Sequence, residues 1–375
     1  MACWASGARR SACRPSTATC RRSSTPSRST RCAATTARGC TGGHEGGDRE
    51  RLHRRRAHAG DLRHLRRLRR VSTSPTLVRQ VLDRDVWEPR AAAHRERART
   101  WTAPHLLRRE RHEPHPVVDF LFEYYNLSPA QLERWHPGLD VGLADAPEHA
   151  ALGAYVTRDG VSTVDPRRLA SRVRGLRWTR SLLTATLDRP ARYGCFGLHE
   201  WAMVYRSEQP RHDLPLRLGR SGTDAVVEAH PLTCTHVDAF RFFTPAAEPR
   251  NAWQLGREHQ LAHEQPGCLH ANMDLYRIAF RLLPFVESTV VLDAFELALE
   301  IRTVDMQASP YDVGSYGLDP IPVEVADGRA EYVRRQRDLA ARAEPLRRAL
   351  LAHVDRLLAH PAAHAPEQPD ARDGQ

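Results

Sequence analysis

The segment Pro266-Gly-Cys-Leu-His-Ala-Asn-Met-Asp-Leu-Tyr-Arg-Ile-Ala-Phe-Arg281 arranges its apolar and polar residues with a helical period. Its apolar side chains recur at steps of four, three and four residues: Leu269, Met273, Tyr276 and Phe280. Its polar side chains follow the same steps, one residue out of phase: His270, Asp274, Arg277 and Arg281. Residues at these spacings share one face of a helix. The segment therefore predicts a packed helix with His270 and Asp274 at the rim of its buried face.

Two other short segments have the same kinds of residue as the start of this helix. They are Tyr193-Gly-Cys-Phe-Gly-Leu-His-Glu-Trp201 and Thr233-Cys-Thr-His-Val-Asp238. Each of the three segments places a cysteine close to a histidine and a carboxylate, and together they contain every cysteine beyond position 40: Cys195, Cys234 and Cys268. A buried cysteine is also an ordinary core residue. The occurrence of this combination in three segments nevertheless favours one shared site over three separate core pairs.

The chemistry of this composite site is open at the level of sequence. In one interpretation His199, His236 and His270 bind one divalent metal, zinc or ferrous iron, together with a carboxylate. Three carboxylates are candidates for that ligand: Glu200, Asp238 and Asp274. In the other interpretation the same carboxylates act without a metal, as general bases that activate water. Both interpretations predict that the three segments converge on one pocket; if they do not, a non-catalytic binding module is favoured.

Composition divides the chain into unequal parts. Residues 1–70 contain 18 arginines against four acidic residues, a net charge of +14, whereas the whole chain carries +11; the remainder therefore carries −3. The first part has almost no apolar periodicity, so we expect a disordered basic tail over 1–70, and its abrupt end favours a mis-called start with Val71 as the initiator. We expect a helical catalytic domain over 71–360 and a disordered end over 361–375.

Several chemistries are excluded by what the sequence lacks. All 56 basic residues are arginine, so there is neither a P-loop lysine nor a Schiff-base lysine. Position 203, where a His-Glu-x-x-His metalloprotease needs its second histidine, is Met203. No glycine-rich dinucleotide motif and no long apolar run occur, so we expect a cytoplasmic protein with no nucleotide cofactor and no membrane partner.

Periodicity along the chain predicts a mainly α fold, a single multi-helix domain with a minor β element. Asp159-Gly160 lies between two β-prone runs, which indicates a hairpin over 154–164. We expect further short strands between 213 and 229, a helix over 195–206 and an extended segment at 234–238. Long helices are predicted after 269, after Ser288 and from Ala330 to about Leu358.

A basic run between 167 and 192 has two interpretations. Its arginines include Arg174, Arg177 and Arg180, and Trp178 lies among them. Such a run is usually the solvated face of a helix. The alternative is a surface that follows the phosphates of DNA, with Trp178 as a stacking group.

Four segments resemble a family of actinobacterial type whose members are usually named 3-methyladenine DNA glycosylase. They are residues 194–206, with Gly-Cys-Phe-Gly-Leu-His-Glu-Trp-Ala-Met-Val-Tyr-Arg, and residues 238–245, 264–276 and 305–312. The resemblance covers about residues 71–360. It implies a monofunctional glycosylase that removes alkylated purines from DNA, with water activated by Glu200, Asp238 or Asp274. It also implies aromatic side chains that stack on the flipped base: Trp201, Tyr205, Phe242 or Phe243.

Overall fold

The computed structural model describes residues 78–208 and 212–365, all within one unit of the chain, Ser72–Gln375. Its α-helices are α1 (Arg84–Arg111), α2 (Val118–Tyr124), α3 (Pro129–Glu133), α4 (Pro147–Ala150), α5 (Val173–Leu187), α6 (Leu198–Ala202), α7 (Gly219–Ala229), α8 (Val237–Phe240), α9 (Gln260–His263), α10 (Leu269–Arg281), α11 (Ser288–Ala308) and α12 (Ala326–Ala359). Its strands are β1 (Gln80–Leu82), β2 (Val141–Ala144), β3 (Tyr155–Arg158) and β4 (Val161–Val164).

Helices α10, α11 and α12 pack on one another and form the centre of the core. Helix α11 is apolar around most of its circumference, which is typical of a helix surrounded by protein. Its Phe295 is fully buried, with its ring 5.3 Å from that of Tyr276 on α10 and 5.4 Å from that of Phe122 on α2. The predicted apolar seam of α10 therefore faces α11, as its spacing requires.

The long helix α12 covers the other side of α10 and also packs against α5. Its buried apolar residues recur at helical spacing and include Tyr332, Leu339, Leu350 and Val354. Two polar side chains on the same buried side, Gln336 and Arg347, are each only 1% exposed. Helix α12 thus brings polar groups as well as apolar ones into the interior.

The four strands form one small sheet in the order β1-β2-β4-β3. Strands β1 and β2 are parallel, and β4 pairs antiparallel with both β2 and β3. The β3–β4 turn has positive φ at Asp159 and Gly160, 50° and 77°, which is the backbone of the favoured two-residue hairpin turn. The hairpin prediction is confirmed, and the sheet extends it by two strands.

The fold-class prediction is confirmed: the chain is mainly α with a minor β element. Of the strands expected between 213 and 229, the later one is wrong, because Gly219–Ala229 is α7, whose buried Thr223, Val226 and Val227 follow a helical step of three and one. In the earlier segment, Leu216 forms only an isolated antiparallel bridge with Tyr311. Only part of 195–206 is helical, as α6. The disorder expected from residue 361 is wrong for the first residues of that segment, since Pro361–His364 forms a 3-10 helix. The 1–70 tail and residues 366–375 lie outside the described residues.

We expect Leu292→Ala to lower the free energy of unfolding by about 2–5 kcal/mol, because Leu292 on α11 is fully buried and the truncation leaves a cavity. The matched control is Leu107→Ala on α1, where the side chain is 46% exposed and the change should stay within about 0.5 kcal/mol. Urea denaturation measures both values. Equal effects of the two substitutions would contradict the central position of α11.

Candidate functional site

The three histidines singled out from the sequence lie side by side. The ring centroids of His199 and His270 are 4.5 Å apart, and those of His236 and His270 are 5.3 Å apart. His199 lies on α6, His236 precedes α8, and His270 lies in the first turn of α10. The three segments therefore converge, and His270 lies between the other two rings.

A strained turn places the first segment. Phe196 and Gly197 both have positive φ, 50° and 73°, immediately before α6. A Cβ atom on Gly197 would lie 3.2 Å from the Cβ of Ala308 and 3.3 Å from the ring of Tyr332, so this turn packs too closely for a larger residue. Positive φ in a residue such as Phe196 is uncommon and is often found at functional sites. Here the turn leaves Cys195 one helical turn from His199.

Cys195, His199 and Asp305 form a hydrogen-bonded row. The Cys195 Sγ lies 3.3 Å from His199 Nδ1, and His199 Nε2 lies 2.8 Å from Asp305 Oδ1. Burial lowers the pKa of His199, but the charges and hydrogen bonds of Asp305 and Cys195 together outweigh burial and hold that pKa well above its usual value. The carboxylate thus binds the Nε2 side of the ring, which leaves Nδ1 facing Cys195.

The three cysteines of the segments line one small cavity together with His199 and His270. Its volume is about 10 Å³, which is the space that one water molecule or one ion requires. The side chain of Asn251 positions Cys234, because it bonds to both the backbone N–H and the carbonyl of that residue. Burial raises the pKa values of the Cys234 and Cys268 thiols, so these thiols are protonated when the cavity holds no cation.

Two polar groups at the cavity lack partners within the part of the chain that the structure describes. The Oε1 atom of Gln336 is buried without a hydrogen bond, while its Nε2 donates to the carbonyl of Gly267. No hydrogen bond reaches either ring nitrogen of His270, and burial together with the nearby His199 charge lowers its pKa well below the usual value. His270, Cys195 and Cys268 are partly exposed, so the cavity opens to solvent on their side.

Beyond His199, the neighbouring carboxylates already hold a cation. Nη1 of Arg302 donates to Glu200 Oε1 and to Asp305 Oδ2, both at 2.9 Å, and the arginine is only 1% exposed. His199, Glu200, His270 and Asp305 do offer possible metal-ligand atoms within 4.8 Å of one another. However, an ion between the carboxylates would meet the fixed guanidinium of Arg302. No arginine is among the described residues that line the cavity on the thiol side of His199.

The separation of Cys195 and His199 on the thiol side suits a metal of the zinc class. Tetrahedral zinc bonds of about 2.3 Å to sulfur and about 2.0–2.1 Å to nitrogen place a Cys sulfur and a His nitrogen about 3.5 Å apart. The Cys195–His199 separation of 3.3 Å is close to this value. Asp305 behind His199 supplies the second hydrogen bond that metal-binding histidines commonly have. Thiol and imidazole donors are the ligands that zinc and copper(I) prefer.

A buried arginine near the cavity has no carboxylate partner. Arg347 is 1% exposed; its Nη2 donates to the side chain of Asn272, and its Nη1 has no partner among the described residues. Burial lowers the pKa of Arg347, and the charge of Glu264, ahead of that of Cys268, raises it. The buried guanidinium therefore has a counter-charge in Glu264, although no described carboxylate bonds to it directly.

His236 differs from the other two histidines, because both of its ring nitrogens are already bound. Nδ1 accepts from the backbone N–H of Ala239, and Nε2 lies 3.3 Å from Asp274 Oδ2. The predicted metal role of His236 therefore has no free nitrogen to support it. Asp274 and Asp238 are both bound by Arg277 and do not line the cavity.

Three of the four predicted base-stacking residues lie in the core, which corrects that expectation. Trp201 is fully buried and donates to the carbonyl of Ala308, while Tyr205 and Phe243 are 2% and 5% exposed. A ligand cannot stack on these rings without unfolding their surroundings. Phe242 is half-buried, and the guanidinium of Arg241 lies 4.5 Å from its ring centroid.

The basic run lies on the exposed face of α5. Arg174 and Arg177 are exposed, Trp178 is 44% exposed, and Arg180 forms a 2.7 Å ion pair with Asp355 on α12. This position suits both a solvated face and a DNA-binding surface, so the two interpretations stay open. No helix in the described part of the chain has the length and apolar content that a bilayer span requires.

Sequence reasoning did not select Asp305 and Arg302 as site residues, although the structure places both beside His199. A signal for them exists: they are two charged residues at a step of three near the end of α11, on the turns that carry its buried apolar side chains. The prediction from sequence places the three cysteines in the shared site but does not include them among the metal ligands. Comparison of the chain with protein-family models, with curated proteins and with solved structures finds no match.

We expect Asp274→Asn to destabilise the protein at pH 7 by about 2 kcal/mol or more. Burial alone would raise the pKa of Asp274, but its bonds to His236 and Arg277 lower it from 3.8 to about 2. A depressed pKa adds stability above the unfolded value, and that stability is lost as the pH falls from about 4 towards 2. Denaturation at several pH values should show that the difference in free energy of unfolding between variant and wild type becomes smaller over this range.

The control for this substitution is Asp355→Asn, which removes the half-exposed carboxylate that pairs with Arg180. Exposed ion pairs contribute little, so its effect should be below about 1 kcal/mol at every pH. If the difference in free energy of unfolding between Asp274→Asn and wild type does not change with pH, the ionised Asp274 carboxylate is not the source of this stability.

Proposed function

We propose that the chain is a metal-dependent enzyme whose metal, of the zinc class, is bound in the thiol-lined cavity. One observation carries the proposal: three thiols and the Nδ1 side of His199 line a cavity that has room for a single ion. The proposed ligands are Cys195, Cys234, Cys268 and His199. The metal prediction made from the histidines is kept in part, since His199 stays a ligand and thiols take the place of the carboxylates.

Each neighbouring residue has a role in this arrangement. Asp305 holds Nε2 of His199 and so aims Nδ1 into the cavity, and Arg302 neutralises Asp305 and Glu200. The five donor side chains exceed the four positions of a tetrahedral ion, and a catalytic ion keeps one of those positions for water or a small molecule. In a catalytic arrangement one of the four proposed ligands would therefore leave the ion, and the neutral imidazole of His270 could take a proton from the molecule that binds there.

Metal analysis of the purified protein tests the proposal. We expect about one zinc-class ion per wild-type chain, lost in His199→Gln and in Cys234→Ser. The control is His136→Gln, which removes another buried histidine, bonded to Tyr155, and should keep the metal. Metal removal should lower the melting temperature of the wild type, because the energy of metal binding adds to the energy of folding. A metal content that does not differ between wild type and His199→Gln would refute the proposal.

A further measurement separates a catalytic ion from a structural one. The protein loaded with cobalt(II) should show thiolate-to-metal absorption, and added imidazole should change the visible bands when a small molecule reaches the ion. Bands that do not respond to imidazole, in a protein that binds the metal, would indicate a closed structural site. The enzyme part of the proposal would then be withdrawn.

The row Cys195–His199–Asp305 favours a second candidate, a thiol enzyme in which Cys195 is the nucleophile and His199 its base. The hydrogen bonds at both ring nitrogens are those that a nucleophile, a base and an orienting carboxylate require. Cys234 and Cys268 have no role in this candidate. It predicts rapid alkylation of Cys195 in metal-free protein and no effect of Cys234→Ser, which is the opposite of the metal proposal.

The glycosylase activity implied by the resemblance, with DNA as partner, stays a prediction. A base-release assay on methylated DNA tests it, and the assay should be run with metal-loaded and metal-free protein. The buried positions of Trp201, Tyr205 and Phe243 give it no support.

A further inference from the structure

Three arginines lie within 3.8 Å of the Asp238 carboxylate, and a fourth, Arg281, stands at the C-terminal end of α10. Arg277 and Arg281 belong to α10, Arg241 directly follows α8, and Arg257 begins the 3-10 helix Arg257–His259. Arg277 Nη1 donates to Asp238 Oδ2 at 2.8 Å. The other oxygen of Asp238 lies 3.8 Å from Arg241 Nε and 3.8 Å from Arg257 Nη2, which is too long for a hydrogen bond.

The carboxylates in contact with this cluster do not neutralise it. Asp238 and Asp274 are both bound by Arg277, and Asp274 is shared with His236. Arg281 makes no ion pair or hydrogen bond with any residue that the structure describes. Partial burial and the charge of Arg277 lower the pKa of Arg281, and the charges of Asp274 and Asp238 raise it by less, so Arg281 lies within electrostatic range of the same groups. Arg241 and Arg257 thus share one oxygen of Asp238, whose other oxygen is bound by Arg277.

The surroundings hold these groups in place and keep them accessible. The guanidinium of Arg241 lies over the ring of Phe242, at 4.5 Å from its centroid. Such contacts restrict the planar group and leave its N–H donors free to bind. The side chain of Arg241 is 49% exposed and that of Arg257 is 76% exposed. The cluster is therefore an open group of donors over a buried base formed by Arg277, Asp238 and Asp274.

We propose that Arg241, Arg257 and Arg281 bind a phosphate-like oxyanion, and that Arg277 supports them from below. Guanidinium groups match the geometry of phosphate oxygens and form charge-assisted hydrogen bonds with them. The excess of positive charge, from three arginines without a full partner, suits a dianion. This site lies on the opposite end of α10 from the thiol-lined cavity and does not depend on a metal there.

One phosphate group is the ligand that this cluster fits. A nucleic-acid backbone presents a line of phosphates and usually meets a longer path of basic residues. The arginines here surround a single carboxylate, and the chain beyond residue 70 carries a net charge of −3. We therefore infer a small phosphate ester as the source, and make the nucleic-acid backbone an outcome of the test.

Calorimetry and thermal shift with inorganic phosphate test the site on the full-length protein. We expect wild type to bind phosphate, and Arg281→Gln and Arg257→Gln each to weaken binding by about tenfold or more. The control is Arg90→Gln, which removes another exposed arginine, on α1, and should bind like wild type. All four proteins should melt at the same temperature without phosphate, because these side chains are exposed.

Absence of phosphate binding by wild type, or equal binding by wild type and Arg281→Gln, would overturn the site. A second arm measures a labelled single-stranded oligonucleotide at several salt concentrations. Binding no tighter than that of phosphate supports the small ester. The other outcome is oligonucleotide binding that is tighter than phosphate binding, is weakened by Arg281→Gln and falls with salt as steeply as several phosphate contacts require. That outcome supports the oxyanion site with the nucleic-acid backbone as its source.

Discussion

The hydrogen bond between His199 and Asp305 is the constraint on which the centre of this protein depends. Asp305 is fully buried in α11, on the part of the helix that packs against the core and away from its outward acidic residues Asp293, Glu296 and Glu300. A lone carboxylate there would be very costly, and the two cationic partners, His199 and Arg302, offset that cost. The pairing joins α6 to α11 and fixes the direction of the His199 ring. The cavity, the metal proposal and the thiol alternative all follow from that direction.

Much of the fold was predictable because its signals are local. The apolar seam of α10, the amphipathic α12 and the Asp159-Gly160 turn each follow from residues that are neighbours or three to four positions apart, and each is found in the structure. Helix α7 was missed because Val226 and Val227 favour strands by their branched side chains, whereas their burial beside Thr223 follows a helical face. Tertiary packing decides between a strand and a helix here, and the residues of this segment alone do not determine that packing.

The candidate site was predictable only in outline. The spacing of cysteines and histidines indicated one shared site, and the three rings do lie together. The roles within it depend on contacts between residues far apart in the chain. His236 lost its metal role because Ala239 and Asp274 bind both of its nitrogens, and Asp305 gained its position from a helix 106 residues after His199. No local pattern contains such information, because only folding decides which nitrogen faces which partner.

Helix α10 fixes the distance between its two ends. His270 in its first turn and Arg281 in its last are eleven residues apart on one row, so a helical rise of 1.5 Å per residue holds them about 16 Å from each other along the axis. A packed helix does not stretch, and the distance stays the same whichever molecule approaches. Any single compound that touches both ends must therefore reach this length, and shorter compounds can engage only one end at a time. The length of a compound therefore decides whether it can contact one end of α10 or both.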